Sequence, residues 1–123
     1  MAKILVVDDS AAIRDMVRLM LIDGGHEAVV AESAVMAFAA IKRASFDILI
    51  IDQNMPGLTG IEATKLLRTY PRYRLMKIII LSADSRVEHG DDSMVAGADA
   101  YLDKPLTSAK LLTSVKLVLG PAD

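Results

Sequence analysis

Short aliphatic runs alternate with helical patterns along the chain and predict five strands. The clearest runs are Ile4 to Val7, Asp47 to Ile51 and Ile78 to Leu81, each with four consecutive aliphatic residues. Runs of this length without polar interruption are typical of strands buried on both faces of a parallel sheet. Glu27 to Ala31 and the short Tyr101 to Leu102 complete the predicted set.

Helical periodicity fills the connections between these strands. The first predicted helix has one apolar face formed by Ile13, Val17, Met20 and Leu21, and Gly24-Gly25 predicts its end. Other helices are predicted after a Ser33 N-cap, over 59–69, over 86–96 and through 111–119. Helices between all successive strands, joined by right-handed crossovers, predict an α/β fold with a doubly wound parallel sheet.

Composition narrows the class of protein. The 123 residues predict one domain spanning 1–123, with 53% hydrophobic and only 4% aromatic residues in the chain. A net charge of −2 gives no reason to expect direct nucleic-acid binding. The absence of cysteine excludes disulfides and thiolate metal sites. The first apolar run is too short for a signal peptide or a membrane span, so we expect a cytoplasmic protein without membrane insertion.

Short polar side chains stand where the predicted strands end. Asp8 and Asp9 follow the first strand, Asp52 the third and Ser82 the fourth. Parallel strands share one direction, so these side chains converge on one sheet edge, where three carboxylates repel unless a cation or shared proton offsets their charge. Oxygen ligands without cysteine indicate Mg²⁺, for which Mn²⁺ could substitute. For Asp9 and Ser10, helix capping is the competing interpretation.

Lys104 follows the fifth predicted strand and therefore lies at the same edge. The proline after it restrains its backbone, and the Lys104-Pro105 bond is a candidate for the cis isomer. An ordinary surface lysine is the simpler alternative. An ammonium beside three carboxylates and a divalent cation would suit a phosphoryl group, which a carboxylate could attack in line.

The chain resembles response-regulator receiver domains of two-component signalling, the family that includes the bacterial chemotaxis regulator. The resemblance covers essentially the whole chain. It rests on four motifs in order: Ile4-Leu5-Val6-Val7-Asp8-Asp9, Asp52-Gln53-Asn54-Met55-Pro56-Gly57-Leu58-Thr59-Gly60, Ser82-Ala83 and Lys104-Pro105. It implies a flavodoxin-like (βα)5 fold with strand order 2-1-3-4-5. The segments 80–84 and 110–112 look more specifically like the receiver of a hybrid sensor kinase.

The resemblance also implies roles for individual residues. Asp52 would be the phosphoacceptor for a histidine kinase or histidine phosphotransfer protein, making the chain a switch that catalyses only its own phosphorylation and dephosphorylation. Mg²⁺ would be held by Asp8, Asp9, Asp52 and the backbone carbonyl of Asn54. Lys104 would pair with the phosphoryl group, Ser82 and Tyr101 would form the switch, and Asn54 and Asp84 would tune hydrolysis. For Tyr101, simple packing is the alternative.

Two residues depart from the family pattern. Gln53 stands where an apolar or aromatic residue is usual, and Leu106 replaces the common phenylalanine after Lys-Pro. Both are expected to alter how the site communicates with the helices that follow. The surface that a downstream protein partner reads is expected to comprise the predicted helix at 86–96, the fifth strand and the last helix.

Three other functions compete with this interpretation. A Mg²⁺-dependent phosphohydrolase with an aspartyl nucleophile would need an acid at position 54, where the chain has Asn54. An inactive receiver used as a docking module does not explain the complete acidic set, and a nucleotide binder would need a glycine-rich phosphate loop that the sequence lacks. His26 and His89 are predicted to be surface residues away from the carboxylate edge.

Overall fold

Five parallel strands form one sheet. The computed structural model describes residues 1–83 and 97–121. Its strands are β1 (Lys3–Val7), β2 (Glu27–Ala31), β3 (Ile48–Asp52), β4 (Lys77–Ser82) and β5 (Ala100–Asp103). They pair in parallel in the order β2-β1-β3-β4-β5. The flavodoxin-like doubly wound α/β fold is therefore confirmed.

Four α-helices occur in the described part of the chain. They are α1 (Ala11–Asp23), α2 (Ala34–Arg43), α3 (Gly60–Arg68) and α4 (Ser108–Leu119). The helix predicted over 86–96 lies outside the described residues. The connection after α3 holds a short 3-10 turn at Pro71–Tyr73. Within 1–83 and 97–121, no helix is long and apolar enough to cross a bilayer.

Side-chain hydroxyls begin all four helices. Ser10, Ser33, Thr59 and Thr107 each accept a hydrogen bond from the backbone N–H three residues later. Such a bond satisfies one of the backbone donors that have no partner inside the helix, and its loss typically costs about 0.5–2 kcal/mol. The predicted N-cap at Ser33 is confirmed, and Ser10 acts as the capping residue of α1.

The sheet is covered on both faces by helices. Alternate strand residues such as Leu5, Leu49 and Ile78 pack with α2 and α3 on one face. The residues between them, such as Ile4 and Ile50, pack with α1 and α4 on the other. All five residues of β3 are buried, which explains why this strand carries an uninterrupted aliphatic run. The two layers hold β3 in the centre of the molecule and leave its carboxyl end at the edge of the sheet.

Candidate functional site

The carboxyl ends of four neighbouring strands bring the predicted site residues to one edge. Val7 of β1 pairs with Ile51 of β3, so Asp8 and Asp52 follow adjacent positions. Across the other side of β3, Asp52 pairs with Leu81 of β4. The end of β4 in turn pairs with the end of β5, immediately before Lys104. The register alone therefore places the predicted acidic, hydroxyl and ammonium groups along one line.

Asp8 is held in place by its own turn. It is 1% exposed, its Oδ1 accepts a 2.9 Å hydrogen bond from the backbone N–H of Ser10, and its backbone N–H donates to Ala31 O. Arg14 of α1 donates from Nη1 to the Asp8 carbonyl at 2.8 Å. The sequence pattern did not single out Arg14. A hydrogen bond to a backbone carbonyl leaves no signature in residue types. The one available signal was position, because Arg14 lies in the first turn of α1, close in sequence to the end of β1.

Asp52 is a buried carboxylate at the end of the central strand, 2% exposed. Burial raises its pKa because the charged form loses hydration, and the nearby charge of Asp8 raises it further. The ammonium of Lys104 and the backbone N–H of Asn54 oppose this rise without cancelling it. Asp52 is therefore a more basic carboxylate than an exposed aspartate.

Lys104 joins the two buried carboxylates. Its Nζ lies 3.1 Å from Asp8 Oδ2 and 3.1 Å from Asp52 Oδ1. Burial would lower the pKa of Lys104, but hydrogen bonding and charge attraction to Asp52 and Asp8 outweigh burial and raise it. The backbone N–H of Lys104 donates to Ser82 O at 2.8 Å, and the Lys104-Pro105 peptide bond is cis. The ammonium is thus fixed at the edge as a cation.

Asp9 completes a cluster with the chemistry of a divalent cation site. Carboxylate oxygens of Asp8, Asp9 and Asp52 lie within 4.8 Å of one another, with Asp9 exposed and the other two buried. Asp52 Oδ1 is buried and lies 3.1 Å from the ammonium of Lys104. Three carboxylates with one ammonium leave excess negative charge, and hard oxygen ligands suit Mg²⁺. The residues present therefore fit this ion.

The remaining predicted residues are placed less directly. Ser82 is fully buried at the end of β4. Tyr101 is half-buried on β5 and packs against the core on the α2 and α3 face. Asn54 is exposed in the loop after β3. Asp84 and His89 lie outside the described residues, as does the helix predicted over 86–96, whereas β5 and α4 of the proposed partner surface are described.

His26 and Gln53 each make a contact that the sequence did not predict. His26 is half-buried rather than a plain surface residue: its Nδ1 accepts a 3.0 Å hydrogen bond from the backbone N–H of Ala2, and burial followed by the positive N-terminus lowers its pKa. It precedes β2, at the edge opposite the carboxylates, as expected. Gln53 contacts the start of α3, where Oε1 accepts a 2.7 Å hydrogen bond from the N–H of Ile61.

The fold and the acidic edge define a class of protein: a doubly wound α/β domain with a carboxylate and ammonium cluster at the end of its central strand. The family model for the response regulator receiver domain matches residues 4–116. The chain belongs to this family and is a CheY-like receiver domain of two-component signalling. Receiver domains of this family act as phosphoryl-group acceptors and switches, and relay signals from histidine kinases or phosphotransfer proteins.

Several relatives are similar over most of this chain. It is 37% identical to the response regulator protein FleR of Pseudomonas aeruginosa over 114 residues, which make up 93% of this chain and 24% of FleR. It is 32% identical to chemotaxis protein CheY-3 of Vibrio cholerae, over 89% of this chain and 85% of that protein. The structure of chemotaxis response regulator CheY4 of Vibrio cholerae superposes with a TM-score of 0.89 at 37% identity, covering 96% of this chain and 98% of that one. The chain thus spans about a quarter of FleR and most of CheY-3.

Proposed function

We propose that Asp52 accepts a phosphoryl group from a phosphohistidine of a histidine kinase or a histidine phosphotransfer protein. The observation that supports this proposal is the position of Lys104 Nζ, 3.1 Å from Asp52 and Asp8, beside a cluster of three carboxylates. Residues 1–123 would form a single receiver domain for this reaction. The fold brings a buried carboxylate, an ammonium and a cluster of three carboxylates to one edge, which supports the roles of nucleophile, cation and metal ligands proposed for them.

The transfer needs an ionised Asp52 in line with the phosphorus. A carboxylate oxygen of Asp52 forms the new P–O bond as the P–N bond to the donor imidazole breaks. The imidazole takes the electron pair of the P–N bond and leaves as a neutral ring that keeps the proton on its other nitrogen. Burial raises the pKa of Asp52 and so makes its carboxylate a stronger nucleophile, while the hydrogen bond and charge of Lys104 favour the ionised form that must attack. Lys104 then pairs with a phosphoryl oxygen, so positive charge stays where negative charge accumulates.

Mg²⁺ would be held by the side chains of Asp8, Asp9 and Asp52 and by the carbonyl of Asn54. When bound, the ion neutralises the phosphoryl oxygens and offsets the repulsion among the carboxylates. Asp8 is already oriented by the backbone N–H of Ser10, so its second oxygen is available for the ammonium or the ion. Asp9 is exposed and therefore accessible to an ion arriving from solvent.

The switch would use residues on β4 and β5. The hydroxyl of Ser82 moves to the phosphoryl group, and the side chain of Tyr101 changes rotamer with it. This movement shifts the population of two arrangements of the surface around β5 and α4 that a downstream protein recognises. Asn54 and Asp84 would set the lifetime of the acyl phosphate.

Acetyl phosphate and beryllium fluoride test the proposal. Incubation with acetyl phosphate and Mg²⁺ should add one phosphoryl group by intact mass, and EDTA or Asp52→Asn should abolish the addition. Beryllium fluoride with Mg²⁺ should shift NMR resonances near Asp52 and Tyr101. Unmodified wild type, or equal modification of Asp52→Asn, contradicts the proposal. Turnover of a small phosphomonoester would instead indicate a phosphohydrolase.

Ser82→Ala tests the switch separately from the chemistry. The variant keeps every carboxylate and Lys104, so it should still accept the phosphoryl group. It should lose the resonance shifts near Tyr101, because the hydroxyl that follows the phosphoryl group is gone. Full Tyr101 shifts in phosphorylated Ser82→Ala would contradict this role of Ser82.

A further inference from the structure

Gln53 closes the loop that follows the phosphoacceptor. Its side-chain Oε1 accepts the backbone N–H of Ile61 at 2.7 Å, and its backbone O lies 3.4 Å from the N–H of Gly60. These donors belong to the first two residues of α3, which have no partner inside the helix. Gln53, at the start of the segment 53–60, is therefore bonded to the residues at its end, and the segment forms a closed loop.

The start of α3 is also pressed against the backbone of the site. A Cβ at Gly60 would lie 2.9 Å from the carbonyl oxygen of Asp52 and 3.1 Å from Gln53 Cα. The N–H of Gln53 donates to Leu81 O of β4 at 2.8 Å. Gln53 is thus fixed to β4 on its amino side and to α3 through its side chain, and little room remains between helix and strand.

A second cap at the same helix start does not involve the site. Thr59 Oγ1 accepts the N–H of Glu62 at 3.1 Å, and Glu62 Oε1 accepts the N–H of Thr59 at 2.9 Å. This reciprocal pair stabilises α3 from within its own first turn. Because of this pair, α3 could begin at the same residue without Gln53. The hydrogen bond from Ile61 to the Gln53 side chain therefore serves mainly to fix the loop to the helix.

We propose that Gln53 is a positioning residue that presents the Asn54 segment to the metal-binding edge and so sets the affinity of the site for Mg²⁺. This inference rests on the proposed function, in which the Asn54 carbonyl is a ligand. The backbone N–H of Asn54 also stabilises the charged form of Asp52. Asn54 directly follows Gln53. If the Gln53 side chain lost its contact with α3, the backbone carbonyl and N–H of Asn54 would therefore become more mobile.

Gln53→Met removes the acceptor oxygen while keeping the length of the side chain. In a Mg²⁺ titration of the full chain followed by NMR, its Kd for Mg²⁺ should rise about tenfold, the lower end of the loss seen when residues that orient metal ligands are removed. Amide exchange of Ile61 should become faster in the same variant. Thr59→Ala is the matched control, because it removes the other α3 cap and leaves the Gln53 contacts in place. Its Kd should stay within about a factor of two of wild type.

Gln53→Glu keeps an oxygen acceptor at the helix start, where a carboxylate is favoured. It should keep slow exchange at Ile61 and bind Mg²⁺ at least as tightly as wild type. Unchanged affinity in Gln53→Met, equal weakening in Thr59→Ala, or weakening in Gln53→Glu overturns the positioning role. A wild-type chain that binds no Mg²⁺ and accepts no phosphoryl group from acetyl phosphate overturns the proposed function itself, so the two failures are distinguishable.

Discussion

Lys104 Nζ lies 3.1 Å from Asp52 Oδ1, and the same ammonium lies 3.1 Å from Asp8. The two carboxylates are almost completely buried, whereas the lysine side chain is 22% exposed. One cation therefore compensates two buried anions at an edge from which it can also reach solvent.

Lys104→Met should destabilise the domain increasingly as the pH rises. Without the ammonium, Asp8 and Asp52 repel each other, and the folded-state pKa of Asp52 rises further above its unfolded value. The variant therefore keeps its full stability below the unfolded pKa of Asp52, near 3.8, and loses stability as the pH rises through the folded pKa of Asp52. We expect a loss of about 1–3 kcal/mol at pH 7, below the full cost of breaking a buried pair because the lysine is partly exposed.

Urea unfolding at pH 4 and pH 7 in the absence of metal checks this prediction. Lys116→Met, which removes a lysine from the last turn of α4, is the control and should show no such pH trend. Added Mg²⁺ should restore part of the stability of Lys104→Met, because the ion replaces the lost positive charge. A loss independent of pH would show that packing of the lysine stem, not charge, is responsible.

Asp52→Asn should stabilise the metal-free domain at neutral pH. Burial and the charge of Asp8 raise the pKa of Asp52, so the ionised form costs stability above its unfolded pKa near 3.8. Removing the charge should add about 0.5–2 kcal/mol, the range of single stabilising changes. In urea titrations the gain should shrink as the pH falls, because Asp52 becomes neutral in wild type as well. A constant gain across pH would contradict the electrostatic explanation.

Gly60→Ala should destabilise the domain even though alanine is the better helix former. The added Cβ would lie 2.9 Å from the Asp52 carbonyl, a backbone atom that cannot turn aside. We expect a loss of about 1–3 kcal/mol by thermal or urea unfolding, the usual cost of overpacking. Gly24→Ala is the comparison, since its Cβ would meet the movable end of the Leu112 side chain. A larger loss in Gly24→Ala would contradict this explanation.

Arg68→Lys should loosen the start of β4 and the approach to β5. The guanidinium donates to the carbonyls of Gly97, Tyr73 and Met76 and pairs with Asp99 at 3.0 Å. A lysine cannot reproduce this fork of donors, so we expect a loss of about 1.5–3 kcal/mol. Arg72→Lys, at an exposed arginine over the Tyr73 ring, should cost much less in the same unfolding assay.

His26 should make the domain less stable as the pH falls. Burial and the positive N-terminus lower its folded pKa below 6.5, and Nδ1 must be unprotonated to accept the N–H of Ala2. As the pH falls, His26 is therefore protonated in the unfolded chain before it is protonated in the folded domain. The folded domain loses stability from pH 6.5 downwards. Comparing urea unfolding of wild type and His26→Gln at pH 7.5 and 5.5 isolates this contribution. A trend unaffected by His26→Gln would contradict it.

The strands could be predicted from sequence because burial on both faces leaves a continuous aliphatic run. The run ending at Ile51 places β3 within one residue of its observed bounds. The convergence of Asp8 and Asp52 also follows from sequence, because it requires only that the strands be parallel. Their common distance to Lys104 depends on the register of β4 with β5, which the short Tyr101 to Leu102 run does not specify.

The contacts of Gln53 and Arg68 could not have been predicted in the same way. Apart from the Asp99 carboxylate, their partners are backbone N–H and carbonyl groups, which nearly every residue carries, so no spacing of residue types marks them. Gln53 was visible in the sequence only as a departure from the family pattern. What it contacts depends on how closely α3 approaches the end of β3, a tertiary feature set by Gly60.

Burial falls from the centre of the sheet to its β5 edge. All five residues of β3 are buried, whereas all four of β5 are only half-buried. A strand packed on both faces resists displacement, because moving it disturbs two layers of side chains at once. Stiffness should therefore decrease from Asp52 towards Tyr101, so strain introduced at the carboxyl edge would be relieved mainly on the β5 side of the sheet.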